Sequence, residues 1–200
     1  MTLENTSSQR GLLLVLSGPA GVGKDTVWRE AHGCLPTFAK ATTCTTRAPR
    51  AGEEEGVAYF FVSDHEFDRL IRENLLLEWA LVHGNRYGVP VSSVNARLES
   101  GLDVVCVIDV QGALKIRALH DDALLVFLKP PPGREVEVLE KRIASRGAEN
   151  EVETARRLET AQWELGQTEK YDYEIVNDEV ENAAQQLCEI IAREKQRRAA

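Results

Sequence analysis

The sequence predicts an α/β fold of three layers, with a central parallel sheet between helices. Three observations carry the prediction. Short, continuous apolar runs recur along the chain, as strands buried on both faces do. Amphipathic stretches of helical period separate them. A glycine-rich turn, SGPAGVGKDT from Ser17 to Thr26, joins the first apolar run to the first helical one.

The elements follow in order. Leu12–Leu16 reads as a buried strand, and a helix runs from Lys24 to about Cys34 with Val27 and Ala31 on one face. Val104–Ile108 and Leu124–Leu128 are the second and third buried strands, and Tyr173–Val176 is a short fourth. A last helix, Glu179 to about Arg197, turns Ala183, Leu187, Ile190 and Ile191 inward. Its Lys195, Arg197 and Arg198 suit the negative end of the helix dipole.

Two regions break this rhythm. From Thr43 to Arg97 the chain reads as a small α+β insertion, with strand-like pieces at Ala58–Val62 and Leu76–Val82 and a hairpin turn at Gly84-Asn85. Ser63 with Glu66 forms a capping box for a helix that buries Phe67, Leu70 and Ile71. A second helix starts at Pro90 and ends near Gly101, with Val91, Val94 and Leu98 inward. The other irregular region opens with Pro130-Pro131-Pro132-Gly133 and carries Arg134, Arg142, Arg146, Arg156 and Arg157. An arginine-dense helical segment after a proline hinge is the pattern of a closing lid.

Composition excludes several classes. The chain of 200 residues is 43% hydrophobic and 28% charged, a globular balance, and no apolar run reaches membrane-spanning length. The opening MTLENTSSQR is polar and lacks an apolar signal core. A net charge of −8 argues against a nucleic-acid polymer as the main partner, although a locally basic site can still take a nucleotide. Cys34, Cys44, Cys106 and Cys188 are scattered without a C-x-x-C pair and read as free thiols in a reducing cytoplasm.

Two motifs carry chemistry. The turn Gly18-Pro19-Ala20-Gly21-Val22-Gly23-Lys24 has the spacing of a P-loop. Its glycines let backbone N–H groups face phosphate oxygens, the following helix adds its positive end, and Lys24 reaches the terminal phosphates. The pattern wants a hydroxyl after the lysine, but the chain has Asp25, followed by Thr26. A bare carboxylate about 5 Å from a phosphate charge costs roughly 3 kcal/mol at an effective dielectric near 20. Asp25 therefore either points away, which is favoured here, or sits against a metal ion as a hard oxygen ligand. In the second motif, TTRAPRAGE (45–53), a proline holds Arg47 and Arg50 three residues apart, which suits a fixed pocket for a second phosphate.

With these pieces in hand, the chain resembles guanylate kinases along nearly its whole length. The resemblance rests on GPAGVGK (18–24), TTRAPRAGE (45–53), YFFVS (59–63), LLEWA (76–80), GNRYG (84–88), IDVQGA (108–113), RIASRG (142–147) and IVND (175–178), in that order. It implies a nucleotide-binding core at 11–42, 98–131 and 159–200, while the polar opening, 1–10, reads from its composition as a flexible tail. It also implies a GMP-binding insertion at 43–97 and a lid at 132–158. The implied reaction moves the γ-phosphoryl group of ATP to GMP or dGMP, with Mg2+.

The roles transfer position by position. Arg47 and Arg50 match the arginines that hold the GMP phosphate, and Tyr59 and Tyr87 match its phenolic partners. Glu78 matches the carboxylate that reads guanine, and Thr43 keeps a hydroxyl for guanine O6 where the family usually has serine. Asp109 matches an acid at the end of a core strand, contacting GMP or organising Mg2+ through water. Arg146 and Arg157 match lid arginines that reach the transferred group, with Arg142 a turn from Arg146. Asn177-Asp178 matches a segment near the adenine. Mg2+ is expected mainly on ATP phosphates and water, with Asp25, Thr26 and Asp109 as candidate contacts. The expected partners are ATP and GMP alone, with no membrane, in a cytoplasmic monomer or homodimer.

The chain also departs from the family. Ala20 replaces a common serine, Val107 stands two residues before Asp109 where an acid is usual, and Val89 stands where serine or threonine is usual. Two alternatives compete. One is a non-catalytic guanylate-kinase-like binding module, disfavoured by Lys24, the lid arginines and a length that leaves no room for attached domains. The other is a ribose 1,5-bisphosphate phosphokinase-like sugar kinase, which can carry G-K-D in its P-loop but has no use for Glu78 or TTRAPRAGE.

Overall fold

A computed structural model describes residues 10–144 and 151–199. The first apolar run forms β1 (Leu13–Ser17), and β2 (Phe38–Lys40), β7 (Asp103–Val107), β8 (Leu124–Lys129) and β9 (Tyr173–Val176) join it in one sheet. The order is β2-β7-β1-β8-β9, and every pairing is parallel. β1 therefore lies at the centre, with connections leaving to either side. The crevice beyond the carboxyl ends of β1 and its neighbours is where such sheets bind ligands.

Alternation along β1 explains the three layers. Leu14 and Leu16 point to one side, into a cluster with Val27 and Trp28 of α1 (Lys24–Ala31) and Leu187, Ile190 and Ile191 of α7 (Val180–Ala199). Leu13 and Val15 point to the other, against Ala113 and Ile116 of α4 (Val110–Leu119) and Leu98 of α3 (Asn95–Glu99). Asp103 fixes the sheet's near end: it accepts from the Leu12 N–H at 2.9 Å and the Thr37 hydroxyl at 3.2 Å, and pairs with Lys195.

The insertion builds a second, mixed sheet from β3 (Cys44–Thr45), β4 (Phe60–Phe61), β5 (Leu76–Val82) and β6 (Asn85–Pro90), in the order β4-β3-β6-β5. Against it lies α2 (Asp64–Arg72), whose N-cap Ser63 accepts from the Glu66 N–H as the capping box requires. Arg86 ties β6 to α2 through Asp64 and Asp68, both at 2.6 Å, and lies over the Phe67 ring. After β8 come α5 (Glu135–Ala144) and α6 (Glu151–Leu165), whose Leu139 and Ala161 dock on the first core cluster.

Several expectations need correction. The hairpin turn is His83-Gly84, both with positive φ (48° and 78°), and Asn85 already belongs to β6. Two consecutive left-handed residues match the twist of a tight hairpin. The helix expected from Pro90 to Gly101 breaks at Val94 (φ −121°) into a 3-10 turn, Val91–Ser93, and α3. Likewise α1 stops at Ala31, and a 3-10 turn covers His32–Cys34. The strand expected over Ala58–Val62 is only Phe60–Phe61. Finally, Cys34 and Cys188 are joined as a disulfide, Cα atoms 6.4 Å apart, between the end of the α1 region and α7. Sequence spacing held no trace of a pair separated by 154 residues. Cys44 and Cys106 are free and buried.

Candidate active site

The P-loop is shaped first by its backbone. Gly18, Gly21 and Gly23 take φ of 143°, 83° and 102°, the left-handed region that other residues avoid. Gly18 also has no room: a Cβ there would lie 2.2 Å from the Leu128 carbonyl of β8. Gly23 is the N-cap of α1 and offers no side-chain acceptor, so the first-turn N–H groups face the crevice without an internal cap. That is an anion site. Lys24 folds back over the loop, its Nζ donating to the carbonyls of Gly18 at 2.6 Å and Pro19 at 3.1 Å.

Asp25 is turned away from the loop. Its Oδ1 accepts from Lys40 at the end of β2 at 2.8 Å, and its side chain is 65% exposed. Thr26 is half-buried in the same turn. Asn177 lies beneath the loop: its amide donates to the Val22 carbonyl at 2.6 Å, and its Oδ1 is buried with no hydrogen bond among the described residues. The side chain thus braces the cradle itself.

The second cluster is built from side chains. The Arg47 guanidinium donates to both Glu53 oxygens (2.9 and 3.0 Å), to the Tyr87 hydroxyl (3.2 Å) and to the Ala48 carbonyl (2.6 Å). It also lies 5.4 Å from the centre of the Tyr59 ring. Glu53 accepts from the Arg50 N–H at 2.8 Å, which pins the turn carrying both arginines, while the Arg50 residue is exposed. Sequence reading gave Glu53 no role of its own, although it closes TTRAPRAGE and holds both arginines' turn. Burial, and the charge of Asp25 next, push the Tyr59 phenol up to about 12.

Glu78, on β5, is 5% exposed, and its Oε2 has no hydrogen-bond partner among the described residues. Burial above all, then the charge of Asp109, raises its carboxyl to about 8, while Lys115 works the other way. Gly112 of α4 gives it space: a Cβ there would meet Oε2 at 2.8 Å. Asp109 is the N-cap of α4, its Oδ1 accepting from the N–H groups of Gln111 (2.8 Å) and Gly112 (3.1 Å). Its second oxygen has no hydrogen bond among the described residues, which leaves a hard donor at the head of the sheet. Thr43, at the start of this region, is buried and passes its carbonyl to the Phe60 N–H. Val89 and Val107 both pack on apolar clusters.

Arg142 and Arg157 lie on α5 and α6, but their side chains, and all of Arg146, lie outside the described residues. Also unforeseen was Glu164, near the end of α6. It is 3% exposed, and burial raises its carboxyl to about 7 against the pull of Lys24. Below it, the Tyr171 hydroxyl lies 3.2 Å from the Ser17 hydroxyl at the end of β1.

A glycine cradle at the head of a parallel sheet, with a separate arginine cluster on the second sheet, has the make-up of a P-loop kinase. The comparisons narrow this. The family profile for guanylate kinase matches residues 10–194. The chain is 43% identical to the guanylate kinase of Rubrobacter xylanophilus over 92% of its own length and 95% of that protein's. It is 47% identical to that of Thermobifida fusca over 90% of each. The crystal structure of guanylate kinase from Anaplasma phagocytophilum superposes with a TM-score of 0.75 at 33% identity, over 94% of this chain and 87% of that one. The chain belongs to the guanylate kinase family.

Proposed function

We propose that this chain transfers the γ-phosphoryl group of ATP to GMP, and to dGMP, giving ADP and GDP in purine nucleotide metabolism and GMP recycling. The observation that carries this reading is the buried Glu78 with an oxygen lacking a partner. A buried acceptor of that kind calls for a donor. Guanine offers two to one carboxylate, its N1–H and its exocyclic amine; adenine does not offer that pair. Two donors would also favour the ionised form and reverse the upward pull of burial.

The remaining roles follow. The P-loop, Gly18 to Thr26, takes the ATP phosphates, and Asn177 supports it. Arg47 and Arg50 hold the GMP phosphate, with Tyr59 and Tyr87 lending hydroxyls and Thr43 facing guanine O6. Guanidinium groups match phosphate with paired donors, and Glu53 presents Arg47 in a fixed orientation. No covalent intermediate or strong base is needed, because phosphoryl transfer rests on positioning and neutralisation of charge. Lys24 and the arginines at 47, 50, 142, 146 and 157 supply that charge. Closure of the lid, 132–158, over the core and the 43–97 insertion excludes water from the transferring group.

Mg2+ fits the donor set. Among the described residues no group of three or more His, Cys, Asp or Glu forms a metal cage. Mg2+ ordinarily binds through phosphates, water and one or two oxygen side chains; Thr26 and the outer oxygen of Asp109 are the candidates here, and Asp25 is committed to Lys40. When bound, the ion would supply neutralisation of phosphate charge. No helix among the described residues is long and apolar enough to cross a membrane. A cytoplasmic monomer or homodimer is consistent with soluble nucleotide substrates, and that placement no longer draws on the cysteines.

An ADP-release assay tests the reading with GMP, dGMP, AMP and ribose 1,5-bisphosphate as acceptors. GMP should lead, dGMP follow, and AMP fall far behind. A preference for the sugar would overturn the proposal, and inactivity with every acceptor would favour a binding module.

A further inference from the structure

The residue that faces the Glu78 carboxylate belongs to the core rather than to the insertion. Gly112 stands in the first turn of α4 and is buried. A Cβ there would lie 2.8 Å from Oε2, 2.9 Å from Cδ and 3.1 Å from Oε1 of Glu78. The three distances are nearly equal, so the Cβ position sits over the flat face of the carboxylate and not at its edge. Hydrogen-bond donors approach a carboxylate close to its plane. The backbone of α4 thus covers a face that no donor needs. The edge is left to donors, and Oε2 has no hydrogen-bond partner among the described residues.

Both elements are held at this contact. The Gly112 N–H donates to Asp109 Oδ1 at 3.1 Å, which fixes the first turn of α4. One turn further along, the Lys115 ammonium donates to the carbonyl of Trp79, next to Glu78 on β5, and lies 4.9 Å from the centre of the Trp79 ring. Ala113 and Leu77, neighbours of Gly112 and Glu78 in the chain, share one buried cluster. A methyl group at position 112 would therefore push the carboxylate, not the helix. Glycine is also the poorer choice for the helix itself, since alanine forms helix better. A local preference broken at a buried contact points to a demand of the site.

We infer that Gly112 is a positioning residue for base specificity: by letting α4 lie flat against the carboxylate face, it sets the plane of the Glu78 carboxylate and turns its edge to the paired in-plane donors of a guanine base. The core helix, and not the insertion alone, then takes part in reading the base. The inference rests on Glu78 being the guanine-reading group.

The test uses the full chain with Gly112→Ala, Glu78→Asp and the two combined, a double-mutant cycle. GMP and ATP binding are measured separately by calorimetry, with KM for each substrate and the preference for GMP over AMP. Gly112→Ala should weaken GMP binding about ten- to a hundredfold, the scale of one charge-assisted hydrogen bond, and leave ATP affinity within about twofold. The preference for GMP over AMP should fall with it. Aspartate draws the carboxylate back by one methylene, away from the new methyl group. The combined variant should therefore bind GMP within about threefold of Glu78→Asp alone. Unchanged GMP affinity in Gly112→Ala would overturn the inference. So would an equal loss in both backgrounds, or a parallel loss of ATP affinity, the marks of a merely structural residue. If Gly112→Ala does not fold, the combined variant decides: folding with the GMP affinity of Glu78→Asp supports the contact, and failure to fold overturns it. Glu78→Asp alone separates this inference from the reading beneath it. If it binds GMP like the parent, the assignment of Glu78 to guanine fails and the inference with it. If it binds GMP more weakly while Gly112→Ala does not, only the inference fails.

Discussion

The two nucleotide-facing regions are made of different material. In the core, the cradle is backbone: three left-handed glycines, an uncapped helix start and a strand so close that Gly18 has no space for a Cβ. In the insertion, the site is side chain: Arg47 gripped by Glu53 and Tyr87, Tyr59 alongside, and Glu78 buried over Gly112. The first kind recognises phosphate by geometry alone and is indifferent to the rest of the nucleotide. The second can discriminate, because each side chain brings its own donor, acceptor or charge. On the proposed reading, one protein thus separates what every nucleotide shares from what only one base offers.

Removing the lysine of the backbone site should have the largest effect. Lys24→Met should lower kcat by about 100-fold or more, the scale of losing one charged donor aimed at the transferring group. GMP affinity should be nearly unchanged, since the Lys24 ammonium is folded onto the carbonyls of its own loop. Steady-state kinetics with both substrates varied would check this. An equal loss of GMP affinity would mean that the two sites are not independent.

The side-chain site should break more gradually. Arg47→Met removes a charge-assisted phosphate contact, and GMP KM should rise about 10- to 100-fold. Glu53→Gln leaves Arg47 in place but loosens its bidentate hold, so GMP KM should rise several-fold less while ATP KM stays fixed. If Glu53→Gln matched Arg47→Met, Glu53 would have to touch the substrate itself.

This contrast also explains what the sequence disclosed. The P-loop is legible because glycine is almost the only residue that serves at a left-handed position, so spacing alone announces it. The core strands are legible because burial on both faces leaves continuous apolar runs. Arg47 with Arg50 says little without the family resemblance, because arginines on a loop are ordinary. Glu53 escaped because its importance lies in a contact with Arg47 six residues away, which depends on the fold of the turn. Glu164 escaped for a stronger reason. On an amphipathic helix a glutamate reads as solvent-facing, and only the tertiary packing of α6 buries it. The Cys34–Cys188 pair was invisible because its partners meet only when α7 packs on α1. Short strands such as β2 and β3 carry no period at all at three and two residues.

A third prediction concerns pH. Glu78 has its carboxyl raised from an ordinary 4.5 to about 8 in the free protein. The folded form then holds the proton more tightly than the unfolded chain. Stability from this group is complete below about 4.5 and is lost as pH rises through about 8. Melting temperature of the free enzyme should fall across that window, and Glu78→Gln should flatten the fall. Saturating GMP should flatten it too, since guanine donors favour the ionised form. A slope unchanged in Glu78→Gln would assign the effect elsewhere, first to Glu164, whose carboxyl is raised to about 7.

The smallest effect should come from the residue that looks most anomalous in the sequence. Asp25 stands where a P-loop hydroxyl is expected, yet it is turned to solvent and paired with Lys40, both side chains well exposed. Exposed ion pairs contribute about 0–1 kcal/mol, so Asp25→Asn should shift the melting temperature by at most about 2–4 °C. Catalysis should respond as little. Were Asp25 a ligand of Mg2+, losing its charge would raise the Mg2+ concentration needed for half-maximal rate by roughly tenfold or more. Turned away, it should leave that requirement within about twofold of the parent, on the arithmetic that a residual change under half a kcal/mol allows. Lys40→Met supplies the control. If Asp25 swings to the metal only when released, Lys40→Met should lower the Mg2+ requirement and Asp25→Asn should abolish that gain. If both variants titrate like the parent, the cradle works through its backbone, Lys24 and the ion's own phosphate ligands, and the position after the lysine needs no hydroxyl.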